Sequence, residues 1–117
     1  MSIIIYHNPR CSKSRQTLEL LQANGVTPAI VEYLTAPPDA ATLLQIAKLL
    51  DVPLADLLRR GEDEFRDAGE TLPLDDDAAL AVWLHNNPSV LERPIVVDEE
   101  NERAVVGRPP ENVLDLL

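Results

Sequence analysis

Cys11 is the only cysteine of the chain, and Arg10, Lys13 and Arg15 all lie within four residues of it. A short β-branched run, Ile3 to Ile5, precedes this segment, and apolar residues at helical spacing follow it. The thiol therefore falls at the first turn of a predicted helix. Unpaired N–H groups point outward at such an end, and the helix dipole favours negative charge there. Both effects stabilise a thiolate, and the three cations add to them. Free thiols ionise near pH ~8.5, and sites of this kind bring them into the range of about 3.5–7.5. A helix end of this type also binds anions. A thiolate and an oxyanion share one pocket when the thiolate attacks what the pocket holds. Position alone leaves a second role open, that of a small buried apolar side chain.

Neighbouring residues narrow the chemistry. His7, four residues before the thiol, either lowers its pKa as in a Cys–His pair or braces the Asn8-Pro9 turn. Asn8 fixes loop backbone. Ser14 either donates a hydrogen bond to the thiolate or satisfies the first helical turn. The residue six past Cys11 is Thr17, so the Cys-x5-Arg loop of tyrosine-phosphatase-like enzymes is absent. The residue three past it is Ser14, so no dithiol motif is present. A redox role must borrow its second thiol from another molecule, such as glutathione. One cysteine excludes an internal disulfide and a Cys-rich zinc site, and no spacing of His7 and His85 with carboxylates suggests another metal centre.

The elements that position these residues follow from the pattern. Residues 2–6 read as a first strand, and "HNPRCS" as a tight loop, because Pro9 biases Asn8 away from helix. A helix runs from Ser12 to a C-cap at Asn24-Gly25. Residues 29–34, "AIVEYL", are a second strand, which makes a right-handed βαβ unit. Asp39 is the candidate N-cap of a helix with the apolar stripe Leu43, Ile46, Ala47 and Leu50. "VPLADLLRR" reads as a further short helix ending near Gly61, and residues 61–77 as a loose helical turn plus loop. One of Asp75, Asp76 and Asp77 caps a helix through "AALAVWLHNNP". "RPIVVDEENERAVVG" is a hairpin, and "RPPENVLDLL" closes the chain as a helix with Pro109 or Pro110 in its first turn. The order β-α-β, helices, β-β-α is that of an α/β thioredoxin-like fold. Its mixed sheet carries a helical insertion between the βαβ and ββα halves. No repeat or linker interrupts it, so residues 1–117 read as one domain.

Composition bounds the partners. The 117 residues carry a net charge of −10, whereas a protein that grips a nucleic-acid backbone presents surplus cations, so no nucleic-acid partner is expected. No apolar run is long enough to span or enter a membrane, and residues 3–5 end too soon for a signal peptide. A cytoplasmic protein is expected. The ten cations divide into eight arginines and two lysines, and arginine is the better holder of a planar oxyanion.

"YHNPRCSKSRQTL" at 6–18, "LLRR" at 57–60, "RPIVV" at 93–97 and "GRPPENVL" at 107–114 together resemble the glutaredoxin-coupled arsenate reductase family. "NPRCSKSR" with "GRPPE" resembles a short branch of it. The resemblance covers essentially the whole chain. It implies a thioredoxin-like fold, Cys11 as the nucleophile that attacks arsenate, and Arg59, Arg93 and Arg108 as the oxyanion-binding arginines, with Arg60 an alternative to Arg59. It also implies a cis Arg93-Pro94 bond beside the thiol. His7, Asn8, Ser14 and Arg15 are read as supporting residues from their places around Cys11. No bound cofactor is implied; glutathione is the co-substrate and glutaredoxin the protein partner of a monomer. Two alternatives use the same features differently. One is a glutathione-dependent thiol oxidoreductase with a non-arsenate substrate. The other is a non-enzymatic regulator that binds the transcription machinery, as in a related branch that carries Cys-x-x-Cys.

Overall fold

The computed structural model describes residues 2–117. It comprises two compact units. The first runs to Ala36 and resumes at Arg93–Leu117, and the second is Pro37–Glu92. No helix among the described residues is long and apolar enough to cross a membrane.

The first unit holds the strands β1 (Ile3–His7), β2 (Ala29–Glu32), β3 (Ile95–Asp98) and β4 (Arg103–Val106), with helix α1 at Ser12–Ala23. They form one mixed sheet in the order β2-β1-β3-β4. β1 is parallel to β2, as the βαβ reading requires, and β3 is antiparallel to both β1 and β4. Ile5 is the pivot of the register, opposite Ile30 on one side and Val96 on the other. The chain closes in a 3-10 helix, Pro110–Leu116, that packs against α1. Its carbonyls meet i+3 donors rather than the i+4 donors of the α-helix expected there, and Pro110 supplies the fixed φ of its first position. Ile3, Ile5, Leu21, Val96, Val113 and Leu116 make the core between sheet and helices. The unit has the mixed sheet and flanking helices of a thioredoxin-like α/β fold.

The second strand is shorter than its apolar run. It ends at Glu32, whose carbonyl accepts from the Thr35 and Ala36 N–H groups and turns the chain, while Tyr33 is buried.

The second unit holds α2 (Ala40–Leu50), α3 (Asp63–Ala68) and α4 (Asp77–Asn86). α2 packs on α4 through buried Leu43, Ile46 and Ala47 and buried Leu80, Ala81 and Leu84. Each has the aspartate cap its sequence announces: Asp39 accepts from the Thr42 N–H at 2.8 Å, and Asp76 from the Ala79 N–H at 3.1 Å. One expectation fails here. "VPLADLLRR" is not a helix up to Gly61 but a 3-10 turn, Leu54–Leu57, followed by extended chain. Leu58 pairs with Leu91 as an antiparallel bridge, the Arg59 N–H donates to the Val90 carbonyl, and the Glu92 N–H to the Leu57 carbonyl. Pairing with a segment some thirty residues away replaces the i−4 bonds a helix would need, and Arg59 follows directly on the extended Leu58.

Candidate active site

Cys11 is the N-cap residue of α1, with extended backbone at φ −95 and ψ 123. Its N–H donates to the Asn8 carbonyl, and its own carbonyl accepts from the Arg15 N–H, so the loop delivers the chain into the helix with the thiol over the first turn. The side chain is buried, at 9% exposure. Burial alone pushes the thiol pKa up. Hydrogen bonds from the Ser14 backbone N–H, the Arg93 side chain and the Lys13 backbone N–H, together with the Arg93 charge, outweigh it and bring the pKa below its ordinary value. Arg108 adds a second guanidinium, its Nη2 lying 3.5 Å from Sγ.

The loop around the thiol is braced from within. Ser14 Oγ accepts the Asn8 N–H at 3.0 Å and lies 2.7 Å from His7 Nδ1. Asn8 Oδ1 accepts the Arg10 N–H, and Arg15 Nη1 donates to the Pro9 carbonyl at 2.9 Å. Ser14 thus reaches the thiolate with its backbone N–H, while its hydroxyl joins the two ends of the loop. His7 is buried, and that burial, with the Arg15 charge, lowers its pKa against the opposing field of Glu32. Arg15, adjacent in sequence to the thiol's helix turn, is spent on loop backbone; the guanidiniums that meet the sulfur come from Arg93 and Arg108.

Those two arginines sit on one structural clamp. The Arg93-Pro94 bond is cis, as is Arg108-Pro109. Arg108 Nε donates to the Arg93 carbonyl at 2.8 Å, and the Gly107 N–H to the Pro94 carbonyl at 2.9 Å. Asn112 Nδ2 holds the far side through the Val106 and Arg108 carbonyls. Gly107 leaves no room for a side chain: a Cβ there would stand 2.5 Å from Thr17 Oγ1 and 2.8 Å from Pro94 Cγ.

Arg59 lies in the second unit, in an open cavity of about 500 Å³ lined by Leu58, Arg59, Arg60, Gly61, Glu62 and Glu92. Its Nε donates to Glu62 at 3.2 Å and its Nη1 to Glu92 at 3.3 Å. Arg60 is turned over the Phe65 ring, 5.3 Å from the centroid, a cation–π contact.

A family model described as the ArsC family matches residues 6–116. The chain belongs to the ArsC family. The ArsC match spans both units. Over 114 residues the chain is 47% identical to a protein of Escherichia coli K12 named uncharacterized protein YfgD, covering 97% of this chain and 94% of that one. It is 43% identical over 112 residues to an arsenate reductase of Neisseria meningitidis, covering 95% and 94%. Its structure is similar to that of an arsenate reductase from Vibrio cholerae, with a TM-score of 0.91 and 38% identity over 100% and 98% of the two chains.

Three features of the two units lie beyond the sequence reading. Thr17 and Gly107 fit α1 against the segment that carries Arg108; the signals were a threonine on the buried stripe of the helix and a glycine directly before "RPP". The carboxylates on Arg59 are the third, and Glu92, next to Arg93 in "LERPIVV", carried no sequence signal.

Proposed function

We propose that this chain reduces arsenate to arsenite with Cys11 as nucleophile, glutathione as co-substrate and glutaredoxin as the thiol that completes the reduction. It is an oxidoreductase of the ArsC family. The observation that carries the reading is the meeting of three things at one sulfur: the first-turn N–H groups of α1, Arg93 and Arg108.

The Cys11 thiolate attacks arsenic, a sulfur–arsenic bond forms, and one arsenate oxygen leaves as water after taking up protons. Arg93 and Arg108 donate to the remaining oxygens, which carry the charge through the displacement. The resemblance adds Arg59 as a third donor. Glutathione thiol then displaces a second oxygen as water, giving arsenic(V) bound to both sulfurs. A glutaredoxin thiolate attacks the glutathione sulfur; the arsenic–sulfur bond breaks and its electron pair stays on arsenic, which becomes arsenic(III). The products are a glutaredoxin–glutathione mixed disulfide and arsenite on Cys11, and water releases arsenite and restores the thiol. Two thiols thus supply the two electrons, and the lone cysteine of the chain is never oxidised to a disulfide of its own.

Phosphate has the charge and shape of arsenate and no accessible reduction, so it inhibits by occupying the arginines. The test is arsenate-dependent NADPH oxidation coupled through glutathione and glutathione reductase, with glutaredoxin present and omitted. Turnover that requires Cys11 and collapses without glutaredoxin supports the reading. Turnover indifferent to glutaredoxin would overturn the assigned partner, and none at all would overturn arsenate as substrate.

A further inference from the structure

The cation that the resemblance assigns to oxyanion binding in the second unit is already engaged. Arg59 offers five N–H donors in a fixed fork. One, on Nε, is taken by Glu62, and a second, on Nη1, by Glu92. The three side chains are only 27–32% exposed, so the two carboxylates are fixed neighbours of the guanidinium rather than passing counterions. They line the same cavity as Arg59, so each carboxylate sits where an anion would approach the guanidinium. An incoming oxyanion must displace a carboxylate or share the guanidinium with it.

We propose that Glu62 and Glu92 compete with the oxyanion for Arg59 and thereby hold down its affinity, so that these two carboxylates set how much oxyanion the protein needs. The inference rests on the reading of Arg59 as an oxyanion donor. The competing alternative assigns the carboxylates the opposite role, holding Arg59 in the orientation that binds. The two roles give opposite signs on neutralisation. Partly exposed pairs of this kind are each worth up to ~1 kcal/mol, so an isosteric, uncharged replacement of one carboxylate tightens anion binding by about two- to fivefold.

The experiment is a ¹⁵N chemical-shift titration with inorganic phosphate at fixed pH and ionic strength. It uses the full chain as wild type, Glu62→Gln, Glu92→Gln, Arg59→Ala, and each glutamine variant combined with Arg59→Ala. Competition predicts that both glutamine variants bind phosphate more tightly, that Arg59→Ala binds it more weakly, and that the gain disappears in the Arg59→Ala background. If Arg59→Ala weakens binding while the glutamine variants are unchanged or weaker, the carboxylates orient Arg59 and the inference alone is overturned. A gain that persists undiminished without Arg59 is a general field effect and overturns it too. If Arg59→Ala leaves phosphate binding at the wild-type value, Arg59 is not an oxyanion donor, and its place in the proposed function is lost together with the inference.

Discussion

Gly107→Ala tests how the surroundings of Cys11 are held together. The new Cβ would lie 2.5 Å from Thr17 Oγ1, 3.0 Å from Thr17 Cγ2 and 2.8 Å from Pro94 Cγ. Carbon atoms are at ease ~3.5–4.0 Å apart, so roughly 1 Å of movement is required. Thr17 does not yield by rotating, because Oγ1 donates to the Lys13 carbonyl at 2.8 Å and rotation brings another heavy atom into the same space. Pro94 is a ring whose carbonyl holds the Gly107 N–H. The segment bearing Arg108 must therefore move off α1, and Arg108 takes with it the Nη2 contact to Sγ and the Nε bond to Arg93. Overpacking of this kind costs about 1–3 kcal/mol. Urea denaturation reads that cost, and the rate of Cys11 alkylation by iodoacetamide below pH 7 reads the loss of thiolate. Thr17→Ala in the same chain removes two of the three clashing atoms, so the double variant recovers part of the stability and the two substitutions are non-additive. Wild-type stability and alkylation in Gly107→Ala, or strict additivity with Thr17→Ala, would refute the clamp.

Three further outcomes follow from the same geometry. The Cys11 pKa is lowered, so the thiolate's contribution to stability is present above the unfolded thiol pKa and lost as pH falls through the folded one; the pH midpoint of alkylation lies below that of a free thiol, and Arg93→Ala moves it up. Ser14→Ala strips the partner from the buried Asn8 N–H and from His7 Nδ1 at a cost of about 1–3 kcal/mol in chemical denaturation. It keeps the backbone N–H on sulfur, so the alkylation midpoint moves less than in Arg93→Ala. Asp39→Ala destabilises α2 at neutral pH; because the Thr42 backbone and side chain hold the Asp39 carboxyl below its ordinary pKa, the difference from wild type fades as pH falls through that lowered value, and thermal melts across an acid series read it.

The parts of this site legible in sequence are the local ones. Strand, Asn-Pro turn and helix are written within residues 3–23, and together they fix Cys11 at a helix start. The aspartate caps are local too, since a cap and the N–H it meets are three residues apart. Arg93 and Arg108 reach the thiol from the other end of the chain, and resemblance rather than spacing pointed to them. Arg59 shows what pattern reading cannot see. "LADLLRR" has helical composition, yet the backbone at Leu58 is extended because the 90–92 segment offers hydrogen bonds to Leu57 and Arg59. The fit of Gly107 against Thr17 is likewise a tertiary distance with no trace in either residue's neighbours.

The most direct test of the account is to follow arsenic itself. Arsenate is incubated with the protein, glutathione and glutaredoxin, and arsenic(V) and arsenic(III) are separated chromatographically and counted by mass spectrometry for wild type and Cys11→Ala. Wild type is expected to yield arsenite over many turnovers, and Cys11→Ala none above the protein-free control. Arsenate left unreduced by folded wild type, or arsenite formed equally by Cys11→Ala, would contradict it.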